Sequence, residues 1–228
     1  MAAEPGPHPE TPIVPQLPAD WRERLQRNLL REPDPVSDNY RLGGVVSRSS
    51  EIRAHLKEDF PQTMRPAAVL IGIVDQETPS LLMTVRSQSM RQHAGQISFP
   101  GGGRDPGDPD ITAAAIRETH EEIGIDPHFI QPIGFLTDHM MFSGFRVTPV
   151  VALVRPGFQL NPNTREVAGV FELPLGLVLA IESYRQGQRM VRELAVDVWE
   201  LPFGEYHVWG ATAGMLMNLC EVVSGAHA

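Results

Sequence analysis

The sequence predicts an α/β fold in which a mixed β-sheet is clamped between helices, and three observations carry that expectation. Two apolar runs too short for helices, Ala67 to Val74 and Leu81 to Val85, read as buried strands. Residues Ile111 to Ile123 switch to helical spacing. Strand candidates and a few helices then alternate irregularly, without strict strand–helix repeats or any internal repeat.

Taken in chain order, residues 1–18 carry Pro5, Pro7, Pro9, Pro12, Pro15 and Pro18, a density that forbids helix, and are expected to form a disordered or extended arm. Residues 19–228 are expected to form one domain with an N-terminal helical extension. In that extension Trp21, Leu25, Leu29 and Leu30 recur at three-and-four spacing, Asp20 is the expected N-cap, and Pro33 and Pro35 end the pattern. A second short helix is expected near Ser50 to Phe60. Ala67 to Val74 and Leu81 to Val85 form a hairpin across the turn at Gln76 to Ser80. The helix from Ile111 to Ile123 has Thr112 available as N-cap and Gly124 where a helix would stop. Strands are expected at Phe129 to Leu136, Arg146 to Val154, Met190 to Leu201 and Tyr206 to Trp209, with helices in Leu173 to Ile181 and Thr212 to Val223.

Composition narrows the function. The chain has 228 residues, 42% of them hydrophobic and 21% charged, which is ordinary for a globular protein and excludes collagenous or coiled-coil classes. With Lys+Arg 19 and Asp+Glu 28 the net charge is −9, the wrong sign for a general binder of nucleic acid or anionic membrane. An anionic substrate must then be met by a local cluster or a metal. The single cysteine, Cys220, excludes a disulfide scaffold and belongs to no zinc-ligand set; it reads as a small buried residue in a reducing compartment. The start lacks a signal-peptide pattern, and the runs AVLIGIV and LPLGLVLAI fall well short of the ~20 residues that span a bilayer. A cytoplasmic protein without membrane or nucleic-acid partners is expected.

The candidate chemistry begins at Arg117-Glu-Thr-His-Glu-Glu-Ile-Gly-Ile125. At about 100° per residue, Glu118, Glu121 and Glu122 fall at roughly 0°, −60° and +40°, on one face opposite Ile116 and Ile123. If the isoleucines anchor the helix in the core, the three carboxylates point outward as a fixed array. Like charges so placed repel, and a hard divalent cation such as Mg²⁺ or Mn²⁺ resolves the conflict. Arg117, four residues before Glu121, can hold that carboxylate in one orientation. Upstream, Phe99-Pro-Gly-Gly-Gly103 is a turn that lets backbone approach a metal and phosphates.

This segment resembles the Nudix box of pyrophosphohydrolases, G-x5-E-x7-R-E-U-x-E-E-x-G-U with U apolar. Arg117, Glu118, Glu121, Glu122, Gly124 and Ile125 match its second half; Thr119 occupies the first apolar position, and Pro109 stands where the upstream acid belongs, with Asp105, Asp108 and Asp110 nearby. The resemblance implies a Nudix-type α/β/α sandwich with a mixed β-sheet, and Glu118, Glu121 and Glu122 as ligands of Mg²⁺ or Mn²⁺. A glutamate in a later loop often serves such enzymes as base or further ligand; here that is Glu166, and a surface glutamate is the plain alternative.

From Thr78 to Arg104 the chain has no acidic residue but contains Arg86, Arg91, His93 and Arg104, a local anion site. Leu82 to Gly102 looks like the motif L-L-T-x-R-[SA]-x3-R-x3-G-x3-F-P-G-G of the coenzyme A pyrophosphatase branch, with Met83 the one departure. That resemblance implies hydrolysis of coenzyme A or its acyl derivatives, with Arg86, Arg91, His93, Gly95, Phe99, Gly101 and Gly102 at the substrate and Glu121, Glu122, Arg117 and Glu166 in catalysis. Arg86 and Arg91 are expected to read the 3′-phosphate of coenzyme A. The alternatives are a Nudix hydrolase of ADP-ribose, NADH or dinucleoside polyphosphates, or a binding module without turnover; a homodimer is left open. His139, in a loop with Met140, Met141 and Phe142, reads equally as part of a substrate cap or as an exposed turn. No Ser/His/Asp arrangement, P-loop or dinucleotide fingerprint is present.

Overall fold

The computed structural model describes residues 14–33, 41–46, 63–90, 93–191 and 194–225. The expected helix at 50–60, residues 1–13 of the arm, and Arg91 lie outside them. Residues 14–18 form no regular element; there the Pro15 carbonyl crosses so near Gly176 that a Cβ on that glycine would sit 2.2 Å away.

Helix α1, Trp21–Asn28, buries Trp21 and Leu25. Asp20 precedes it but is not the expected side-chain cap: its carboxylate instead accepts from Arg24 Nε at 2.8 Å, one turn along the helix. β1 is Arg41–Leu42, β2 Arg65–Val74 and β3 Ser80–Arg86. β2 carries a run buried on both sides, as a central strand should. Ala67, Ile71 and Ile73 face one core cluster, while Ala68, Leu70 and Val74 face another. Strands β2 and β3 pair as expected, but only at Ile73↔Leu81 and Val74↔Ser80. Beyond these pairs β3 leaves β2, and the short strand β5, Gly101–Gly103, pairs with β2 in its place.

Helix α2, Ile111–Ile123, ends at Gly124 in the left-handed conformation, as expected. Its N-cap, however, is Asp110, whose side chain accepts from Ala113 N at 2.8 Å; this starts the helix at Ile111 and leaves Thr112 inside its first turn. β4 is Ile97–Ser98, β6 Ile130–Phe135, β7 His139–Met140, β8 Phe145–Val154 and β9 Val167–Pro174. Together β1 to β9 form one sheet of order β1-β7-β8-β2-β3-β4, with β5 on β2, β6 on β8 and β9 on β3. The pairs β2/β8 and β1/β7 are parallel and the rest antiparallel, so the sheet is mixed.

Helix α3 is Leu175–Leu179 and α4 is Gly210–Ser224. The single strand expected over Met190 to Leu201 is instead parts of two, β10 Arg185–Val191 and β11 Leu194–Phe203, paired antiparallel with β12, Tyr206–Trp209, in a second sheet. Helices α1 and α4 pack on one face of the large sheet with Ile71, Ile73 and Val151, whereas α2 covers the other with Ala68, Leu70 and Val150. The result is the expected α/β/α layering. No helix among the described residues is long and apolar enough to cross a membrane.

Candidate active site

Arg117, midway along α2, organises its acidic side. Its Nε and Nη2 bind the two Asp108 oxygens, both at 3.0 Å, Nη1 reaches Glu118 Oε1 at 2.8 Å and Glu121 Oε2 at 3.0 Å, and Nη2 also donates to the Gly103 carbonyl at 3.0 Å. The expected pairing with Glu121 is thus present. These carboxylates raise the guanidinium pKa further, while Arg117 holds Asp108 below the usual carboxylate range. Among the three candidate acids upstream, Asp108 is the one seated squarely on Arg117. Asp105 stands off at 3.9 Å, and Asp110 is the helix cap.

The three helix glutamates do not share one outward array. Glu121 is exposed, Glu118 is largely covered, and Glu122 is only 5% exposed. The packed stripe of α2 is Ala115, Thr119, Glu122 and Ile123, with Ile116 only partly buried, so Glu122 lies on the inner side. Thr119, at the box's apolar position, is sealed and returns its hydroxyl to the Ala115 carbonyl at 2.7 Å. Side-chain-free β5 makes room for this approach. Gly101 N donates to Glu122 Oε2 at 3.1 Å, and a Cβ on Gly102 would lie 2.6 Å from the Glu118 carboxyl carbon.

Burial pushes the Glu122 pKa up to about 7 against the partial relief of the Gly101 N–H and Arg86. Glu118 is raised too, chiefly by burial. Glu166 adds to both shifts, which brings that loop carboxylate into the field of the other two. Its position follows from backbone ties: Ser87 N donates to the Glu166 carbonyl at 2.7 Å, Asn163 N to the Glu122 carbonyl at 2.9 Å, and Asn163 Nδ2 reaches Glu166 Oε1 at 3.5 Å. Sequence reasoning missed Asn163 and did not foresee that the backbone of Ser87, a position inside the coenzyme A-like motif, would hold the Glu166 loop.

Among the described residues, no three His, Cys, Asp or Glu side chains already stand as a metal-ion cage. The donor chemistry nonetheless fits a hard cation. The charges of Glu121 and Glu166 raise the proton affinity of Glu118, and those of Glu118 and Glu166 raise that of Glu122, negative charge that a cation would relieve.

The remaining candidates separate. The guanidinium of Arg86, at the end of β3, lies near enough to Glu122 to favour its charged form, and its buried Nε has no partner. Arg104 is spent on the loop, donating to the Asp108 and Pro109 carbonyls. His93 is exposed, with Nδ1 on Gln96 Oε1 at 2.8 Å. Gly95 N donates to the Arg86 carbonyl at 3.0 Å, closing the base of the loop. Phe99, expected at the substrate, is 3% exposed and packed in the larger core cluster, where its ring anchors the glycine turn.

A glycine-lined strand, an acidic helix cross-braced by one arginine, and a loop glutamate facing it are the features of a metal-assisted phosphoanhydride hydrolase. Residues 63–194 match the NUDIX domain, and the chain belongs to the Nudix family. It is similar to "Uncharacterized Nudix hydrolase NudL" of Enterobacter sp. (strain 638), 40% identical over 178 residues that span 78% of this chain and 92% of that protein. A protein of the same name from Escherichia coli O7:K1 (strain IAI39 / ExPEC) is 41% identical over the same shares. Among solved structures, the Nudix hydrolase RenU of M. smegmatis aligns with a TM-score of 0.47 at 18% identity, covering 71% of this chain and 87% of that one. The protein is a Nudix hydrolase, of the class that cleaves the pyrophosphate bond of nucleoside diphosphate derivatives with divalent metal ions.

Proposed function

We propose that the substrate is coenzyme A or an acyl derivative, cleaved to 3′,5′-ADP and 4′-phosphopantetheine or its acyl form. The observation that supports it is the meeting of the coenzyme A-like segment with the acidic helix: Gly101 N–H binds Glu122, and the Arg86 charge favours the ionised form of the same carboxylate. Glu118, Glu121 and Glu122 would hold Mg²⁺ or Mn²⁺, Glu121 by exchanging its contact with Arg117. When bound, the ion offsets the charge of the diphosphate and acidifies water. Glu166 takes the proton of the water that attacks one phosphorus in line with the leaving phosphate. The Gly101–Gly103 backbone admits the diphosphate close to the helix, and Arg86 binds it from β3.

The reading treats residues 19–228 as one working unit, supported by α1 docking on α4 through Asn28 Nδ2 and the Val222 carbonyl at 2.8 Å. It also includes a reducing, cytoplasmic setting, supported by Cys220, a buried free thiol. The deciding assay measures Mg²⁺- and Mn²⁺-dependent turnover of coenzyme A, dephospho-coenzyme A, ADP-ribose, NADH and dinucleoside polyphosphates. Highest kcat/KM on coenzyme A is expected; a tenfold preference for ADP-ribose or NADH would overturn the substrate while leaving the hydrolase class intact.

Two variants refine the roles. Glu166→Gln should lower kcat more than it raises KM, because proton removal from water is needed only on the way to the transition state. A raised KM alone would reduce Glu166 to substrate positioning. We assign Arg86 to the diphosphate, because its charge favours the ionised form of Glu122, and leave the expected 3′-phosphate role with Arg91. Losing a charge-assisted contact worth about 1.5 to 3 kcal/mol, Arg86→Ala should cost about ten- to a hundredfold in kcat/KM. Coenzyme A and dephospho-coenzyme A should suffer equally. A loss confined to coenzyme A would return Arg86 to the 3′-phosphate.

A further inference from the structure

A second polar site lies on the far side of the sheet, away from α2. His139 on β7 stands opposite Arg41 of β1 and Val147 of β8, so the three side chains share one face. Helix α4 covers that face: Val147 belongs to the same core cluster as Leu216 and Leu219, and Arg41 is ion-paired with Glu221. Asn218 lies three residues before Glu221 and four after Gly214, on the same side of α4. That side approaches the segment after β1 closely, for a Cβ on Gly214 would sit 2.5 Å from Gly44 Cα.

Both side chains are sealed and incompletely bonded. His139 is 0% exposed, and neither ring nitrogen has a partner; Asn218 is 3% exposed, and its Oδ1 has none. Burial and the Arg41 charge favour the neutral imidazole, which offers one N–H donor and one lone pair. Buried polar atoms in native interiors are almost always partnered by protein or by ordered water. Asn218 Oδ1 and one of the two ring nitrogens, on a helix and a strand tied together through Glu221 and Arg41, the β1 neighbour of His139, call for a small guest that both donates and accepts.

We propose that His139 and Asn218 hold one buried water molecule between β7 and α4, which donates to Asn218 Oδ1 and bonds the ring of His139. Water meets the requirement with two donors and two acceptors. The site is separate from the acidic helix, so it pins α4 to the sheet instead of taking part in turnover.

The first readout needs no variant. In NMR spectra of the intact protein the His139 ring protons should show cross-relaxation to a long-lived water, with the imidazole as a single neutral tautomer near pH 7; a ring without water contact would overturn the proposal. The second uses His139→Leu, Asn218→Leu and the double variant in thermal melts. Each single change strands the water and the remaining partner, so both should lower Tm, and the double variant should exceed the additive expectation by about 2 to 4 °C. Additive shifts, or a rise in Tm with His139→Leu alone, would show isolated unpaired groups and reject the shared guest. Failure of any variant to fold leaves the NMR measurement to decide.

Discussion

Glu122→Gln should lower kcat by about a hundred- to a thousandfold, the scale of losing several kcal/mol of metal-assisted stabilisation, while leaving the fold intact. The amide retains the size and the oxygen that accepts from Gly101 N, so the contact to β5 survives and only the charge is removed. Stability should move the other way. The folded-state pKa of about 7 lies above the ordinary 4.5. Well below pH 4.5 the group is protonated whether the chain is folded or not. As pH rises from there through 7, the folded chain keeps a proton that the unfolded chain has shed, so metal-free stability falls across that window and levels off above it. The full span corresponds to about 3 kcal/mol. Without metal, Glu122→Gln should therefore be more stable than the wild type at pH 8, with the difference vanishing well below pH 4.5. Mg²⁺ should raise the wild-type Tm with increasing effect as pH rises and should barely move the variant. Near-native turnover by Glu122→Gln would reject the metal assignment.

Arg117→Ala should cost about ten- to a hundredfold in kcat/KM and raise the Mg²⁺ concentration needed for half-maximal rate. One guanidinium fixes Glu118, Glu121, Asp108 and the Gly103 carbonyl together, and its removal frees all four. Arg117→Lys restores the charge without the planar fork, so it should recover only part of the loss. Full activity in the lysine variant would mean that charge alone matters. Asp108→Asn should weaken the same brace, and its effect combined with Arg117→Ala should fall well short of additive. Circular dichroism separates this from unfolding, because α2 keeps its Asp110 cap and its Gly124 stop.

Much of this was legible in the residues, and the gaps have physical causes. The Arg117–Glu121 contact follows from i,i+4 spacing on one helix, a local relation. The inward turn of Glu122 does not: a helical wheel gives angles between side chains but not which side is packed, and that was decided by glycines on another strand. Strand β9 was missed because Val167–Pro174 alternates poorly, with half of its positions only half-covered, and takes its form from pairing along β3. Strand β10, RQGQRMV, has no apolar period at all and is a strand because β11 pairs with it. The Glu166 loop was visible as a candidate, but its arrival beside Glu122 rests on Asn163 and Ser87 main-chain bonds that sequence does not announce.

Asp108 changes how such chains should be looked for. Counting residues from Gly103 lands on Pro109, which has no acid to offer, yet a carboxylate one position earlier meets Arg117 with both oxygens. In this chain the shorter aspartate side chain reaches the guanidinium from that position, so docking an anion on Arg117 does not require a fixed number of residues between glycine and acid. A search that fixes that number discards chains of this kind; one that asks for any loop acid able to reach the arginine of R-E-x-x-E-E retains them.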